Sequence, residues 1–190
     1  MKINLNILFC LTIFFSGAIY STLQAQQKGG IDSGNFSGEW LSNESISMGG
    51  NIVCSFDEGD HMLSKTLKLE EQTDFLIIKV PNPSPSAPMA MSQEKLDFNG
   101  IESQINHGNG RGKKYNAKLS TDRRTMTIQS TVSLIMPSPY HASIKKQEFV
   151  YITEVWKLSQ NGQSISVQTR AKSNIYEEER FWTTTFDRVN

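Results

Sequence analysis

Between Thr125 and Met136 the chain alternates with period two. Met126, Ile128, Ser130, Val132, Leu134 and Met136 share one parity, and Thr125, Thr127, Gln129, Thr131 and Ser133 share the other. Successive side chains of a strand point to opposite faces, so this stretch predicts a strand with one apolar face and one polar face. At about 3.3 Å per residue, the run from Met126 to Met136 is on the order of 36 Å long, roughly twice a typical strand. A strand of that length in a domain of ordinary size must bend while keeping one face dry. A barrel asks for this, and a flat open sheet does not.

The surrounding sequence supplies further strands. Phe149–Leu158 and Ser164–Thr169 flank Ser159-Gln160-Asn161-Gly162, a polar segment ending in a residue that tolerates positive φ, which predicts a β-hairpin. Shorter strands are expected at Phe36–Leu41, Ile52–Phe56, Lys65–Glu70, Phe75–Val80, Leu96–Phe98, Ile101–Ile105, Lys113–Ser120 and Phe181–Val189. No segment of the expected mature chain keeps an i, i+3, i+4 apolar stripe for three turns. The prolines of Pro81–Pro88 lack the N–H that a ladder needs and predict a semi-extended surface loop. The expected fold is all-β, an antiparallel up-and-down meander closing into a barrel of 8–10 strands.

At the N-terminus, Met1-Lys2-Ile3-Asn4 is followed by a charge-free apolar run from Leu5 to Tyr20 and then by Leu23-Gln24-Ala25. A short basic start, an apolar core and a small residue before a polar segment describe a secretory signal peptide cut after Ala25. The protein is then expected to be secreted or periplasmic and not membrane-spanning after processing. Gln26–Asn35 reads as a flexible tether and residues 36–190 as one domain. Processing removes one lysine and no acid from a chain with 19 basic and 19 acidic residues, so the mature charge is −1. That balance offers nucleic acid no electrostatic footprint. Of two cysteines only Cys54 survives processing, which rules out an intrachain disulfide and predicts a small buried hydrophobe.

Gly38-Glu39-Trp40 at the head of a strand meander resembles the lipocalin and wider calycin barrels. So does the strand pair carrying Glu154-Val155-Trp156-Lys157-Leu158-Ser159 and Gly162-Gln163-Ser164-Ile165-Ser166-Val167. The pattern looks like small secreted lipocalin-like domains of bacteria and covers roughly Phe36–Val189. The resemblance implies that Trp40 closes one end of the barrel beneath a basic side chain of the last strand, for which Arg188 is the matching position. The Thr-Asp-Tyr signature and the usual disulfide of typical lipocalins are absent.

Other motifs carry little chemistry. His61, His107 and His141 fall in separate expected loops, with no pair at metal-ligand spacing, and are expected at the surface. Gly108-x-Gly110-x-Gly112 precedes no helix that would hold a phosphate. No serine sits in a nucleophile-elbow context, so no catalytic residue, cofactor or metal site is expected. Glu154 shares the parity of Val150, Ile152, Trp156 and Leu158. If it faces inward it needs a partner: a ligand's polar end, Arg170 or Arg180, or a bulge that turns it to solvent. The expected function is binding of a small hydrophobic or amphipathic ligand, such as a lipid. The expected lining is Tyr115, Met126, Ile128, Val132, Leu134, Glu154 and Trp156, with Pro81–Pro88 at the rim. The alternative is an envelope interaction or structural domain with a filled barrel.

Overall fold

Ten antiparallel strands form one sheet that curls into a nearly closed barrel in the computed structural model, which describes residues 34–42, 61–80, 92–106, 110–137, 145–174 and 178–189. The strands are β1 Gly38–Leu41, β2 Thr66–Glu71, β3 Phe75–Val80, β4 Ser92–Asp97, β5 Ser103–Asn106, β6 Gly112–Leu119, β7 Thr125–Pro137, β8 Lys145–Leu158, β9 Ser164–Ser173 and β10 Arg180–Arg188. Their order in the sheet is β4-β3-β2-β1-β10-β9-β8-β7-β6-β5. Each strand therefore pairs with its chain neighbour, except that β1 pairs with β10 and β4 does not pair with β5. Among the described residues the one helical element is a single 3-10 turn, His61–Leu63, in the connection between β1 and β2. The expected strand at Ile52–Phe56, Cys54, His107, His141, the Pro81–Pro88 loop and residues 1–25 lie outside the described residues.

The parity of β7 is the one its sequence dictates. Met126, Ile128, Ser130, Val132 and Leu134 are buried, whereas Gln129 is exposed and Thr127, Thr131 and Ser133 are half-buried. The hairpin after β8 forms as its residues require. Gly162 has φ 68°, and the Ser159 hydroxyl accepts the N–H groups of Gln163 and Ser164 at 3.1 and 2.9 Å. β4 begins at Ser92, ahead of the expected Leu96, because Glu94 points inward with Leu96 and a buried carboxylate does not read as strand interior.

Trp40 and Arg188 are cross-strand partners in the β1–β10 pair, and the guanidinium carbon lies 4.4 Å from the centroid of the Trp40 ring. Trp40 is fully buried and its indole N–H donates to the Phe36 carbonyl at 2.9 Å. Arg188 donates to the carbonyls of Ser37 and Gly162 at 2.8 and 2.9 Å. A glycine at position 38 is what allows this approach. Its φ is 143°, and a Cβ there would lie 2.7 Å from the Arg188 Nη1. Gly34, within the expected tether, donates its N–H to the Asp122 carbonyl at 3.0 Å.

The barrel's remaining gap lies between β4 and β5. Side chains from β6 bridge it: the Tyr115 hydroxyl donates to the Lys95 carbonyl at 2.9 Å, and Lys113 Nζ lies 3.3 Å from Glu94 Oε2.

Candidate binding site in the barrel interior

The inward residues of β7 to β10 do not form one continuous apolar column. On each strand a polar side chain interrupts it: Ser130 on β7, Glu154 on β8, Thr169 on β9 and Thr184 on β10. On one side of this belt lies a large apolar cluster that includes Trp40, Met126, Ile128, Trp156, Val167 and Phe186. On the other lies a smaller one, Val132, Leu134, Val150, Ile152 and Ala171, with Met62, Met136 and Trp182 packed against it. Glu94 from β4 and Lys113 from β6 add two more charges to the interior. His61, carried in by the 3-10 turn, sits among them.

His61 is 4% exposed, which corrects the expectation that it lies at the surface. Its Nδ1 is 3.1 Å from Glu94 Oε1, and its Nε2 is 3.1 and 3.0 Å from the two oxygens of Glu154. A carboxylate only accepts, so satisfying both edges of the ring requires both nitrogens to donate. His61 is therefore an imidazolium. Glu154 also accepts from the Trp156 indole at 2.7 Å, and the His61 and Trp156 ring centroids are 5.7 Å apart. The other oxygen of Glu94 faces Lys113, which is only 2% exposed. Among the described residues, two carboxylates, one ammonium and one imidazolium sum to zero charge. Burial of unpaired charge is prohibitively costly, and this neutrality is what makes the cluster tolerable.

The partner of Glu154 is thus His61, and neither Arg170 nor Arg180 nor a bulge takes that role. Burial alone would lower the His61 pKa. Glu154 and then Glu94 together outweigh it against opposition from Lys113, so the ring stays protonated well above its ordinary 6.5. For Glu154, burial pushes upward, but the His61 charge and hydrogen bond, Lys113 and the Trp156 indole carry it below the ordinary 4.5. Burial likewise pushes Glu94 upward. Lys113 and His61 reverse this and hold it well below 4.5.

These directions fix a pH dependence. A raised histidine stabilises the fold fully below its unfolded value and loses that contribution as pH rises through its folded value. Depressed carboxylates stabilise above their unfolded value and lose that contribution as pH falls through their folded values. The network's contribution is therefore greatest between about pH 4.5 and 6.5 and declines on both sides. Urea unfolding midpoints across pH check this, with the alkaline decline absent in His61→Leu.

Beside His61 a cleft reaches the surface. It is lined by His61, Ser64, Glu154, Thr169 and Thr184 as polar groups, and by Met62, Leu67, Trp156, Val167, Trp182 and Phe186 as apolar walls. Its free volume is about 20 Å³, room for one water. The residues expected to line a ligand site, Tyr115, Met126, Ile128, Val132, Leu134, Glu154 and Trp156, are all buried. Of these only Glu154 and Trp156 border the cleft; the others belong to the two apolar clusters. Among the described residues no three His, Cys, Asp or Glu side chains are placed to hold a metal ion. The cluster's own geometry agrees, because Glu94 and Glu154 face opposite edges of the His61 ring.

Sequence reasoning missed His61, Glu94 and Lys113. Lys113 shares the parity of Tyr115 and Ala117 and was visible as an inward charge, whereas Glu94 shares that of Leu96 but precedes the expected start of its strand. His61 had only a weak mark, its place beside Met62-Leu63 after a polar run. A scan against family models, a search of curated proteins and a search of solved structures each returned no match for this chain.

Proposed function

We propose that this chain is an exported, lipocalin-like barrel that binds a small amphipathic molecule in the cleft beside His61. The observation that carries this is the cleft's composition. The walls contributed by Trp182, Phe186, Leu67 and Met62 are apolar, and His61, Glu154, Thr169 and Thr184 add polar groups to the same lining. Small-molecule sites combine such walls with a few placed polar groups. The lipocalin-like assignment draws support from Gly38-x-Trp40 at the head of the meander and from Arg188 stacked on Trp40. Export draws support from the charge-free run that ends at Ala25.

A second reading has its own observation. With His61 in place the cleft holds little more than a water, as expected of a filled barrel whose function lies on its surface. Binding therefore requires the 3-10 turn to move. Titration of an environment-sensitive apolar dye into protein purified from the envelope fraction separates the two readings. Saturable binding that small amphiphiles displace and Trp182→Ala weakens is the expected result. Absence of saturable binding puts the filled-barrel reading first. The intact mass of the same preparation reports whether residues 1–25 are gone.

A further inference from the structure

The interior charges have an asymmetry that depends on which element carries each of them. Glu94, Lys113 and Glu154 sit on strands, fixed by ladders on β4, β6 and β8. His61 alone comes from a three-residue turn in a connection. Removing its side chain would leave, among the described residues, two carboxylates and one ammonium around a buried vacancy, a charge of −1. The vacancy would be flanked by the Trp156 indole, whose ring is 5.7 Å from that of His61. It would open onto the cleft that Trp182 and Phe186 also line.

We propose that Glu94 and Glu154 form a binding site for a small organic monocation, an alkylammonium or imidazolium with a short apolar body, which His61 occupies as a built-in competitor. This rests on the binding reading above and specifies its ligand. The charge argument selects the class. A neutral guest leaves one carboxylate unpaired in a dry interior and an anion adds a third, whereas a monocation restores neutrality. The exchange is balanced, since the guest's N–H donors replace those of the imidazolium and its apolar part lies along Leu67, Met62 and Phe186. A cation set over the face of the Trp156 indole gains a further attraction.

The test uses His61→Ala and three probes of matched size: n-butylammonium, n-butanol and butyrate. Thermal unfolding and tryptophan emission are followed for each probe at pH 6. In His61→Ala, n-butylammonium is expected to raise the midpoint saturably and to bind at least tenfold tighter than either other probe. The wild type, with its competitor in place, is expected to bind it at least tenfold more weakly than the variant. Adding Glu154→Gln, which makes the vacancy neutral, is expected to abolish the preference for the cation. If His61→Ala does not fold alone, refolding yield with n-butylammonium against n-butanol reads the same preference.

Equal binding of the ammonium and the alcohol overturns the proposal while leaving the binding reading standing. So does a cation preference that survives Glu154→Gln. Failure of all three probes to bind either protein removes both.

Discussion

Glu154→Leu is expected to destabilise the domain by about 3–5 kcal/mol, the cost of breaking a buried ion pair by deleting one partner. Glu154 is 1% exposed and satisfies the His61 ring and the Trp156 indole at once. Its loss leaves both donors facing a side chain that accepts nothing, and gives the remaining cluster a charge of +1. The His61 ring then loses the partner that did most to hold its proton, and it either deprotonates or stays charged at a penalty. For a domain of this size, each kcal/mol moves the melting temperature by roughly 2–4 °C, so a fall of about 6–20 °C is expected. The double variant Glu154→Leu/His61→Leu leaves Glu94 and Lys113 as a neutral pair. It should therefore be more stable than the sum of the single losses by about 1–3 kcal/mol. Urea denaturation of the four proteins at pH 6 measures both quantities. A cost below 1 kcal/mol, or strict additivity, would show that the cluster does not act as a unit.

Ile128→Asp is expected to cost about 4 kcal/mol or more, whereas Thr127→Asp one position earlier should cost about 0.5 or less. Ile128 is 1% exposed and stands opposite Glu154 in the β7–β8 register, so the substitution buries a new charge beside an existing carboxylate. Thr127 points outward and is paired with Lys118 across the β6–β7 ladder. An aspartate there meets water and a lysine. Comparable unfolding midpoints for the two variants would mean that the inner and outer faces of β7 have been exchanged.

The fold was legible wherever one property alternated cleanly. Even positions of β7 and the turn before Gly162 declare themselves because period two and positive φ leave few other structures open. The site was legible only in part, and for a physical reason. Glu154 reads as inward because its neighbours on the same face are apolar, but nothing local names its partner. His61 lies 93 positions away in the chain, in a turn whose place in the barrel is set by tertiary packing. Glu94 was hidden for the opposite reason. A strand whose inner face carries a charge loses the alternation by which its extent is judged, so β4 appeared to start at Leu96.

The position of the gap between β4 and β5 has a kinetic meaning. Among the described residues nine ladders hold the barrel, and eight of them join strands that follow one another in the chain, most of them across short connections. Of these nine, only the pairing of β1 with β10 reaches across the molecule, bringing Trp40 to Arg188 over 148 positions. Closing that loop costs about 3 kcal/mol more in chain entropy than closing a five-residue hairpin, at roughly 0.6 kcal/mol per doubling of length. In its ladders the chain is two local meanders, β1–β4 and β5–β10, joined by one long-range pairing. A β domain with one non-local ladder has fewer slow searches to make than a Greek-key arrangement of the same strands. The stacked Trp40 and Arg188 then fasten the ladder that closes the longest loop.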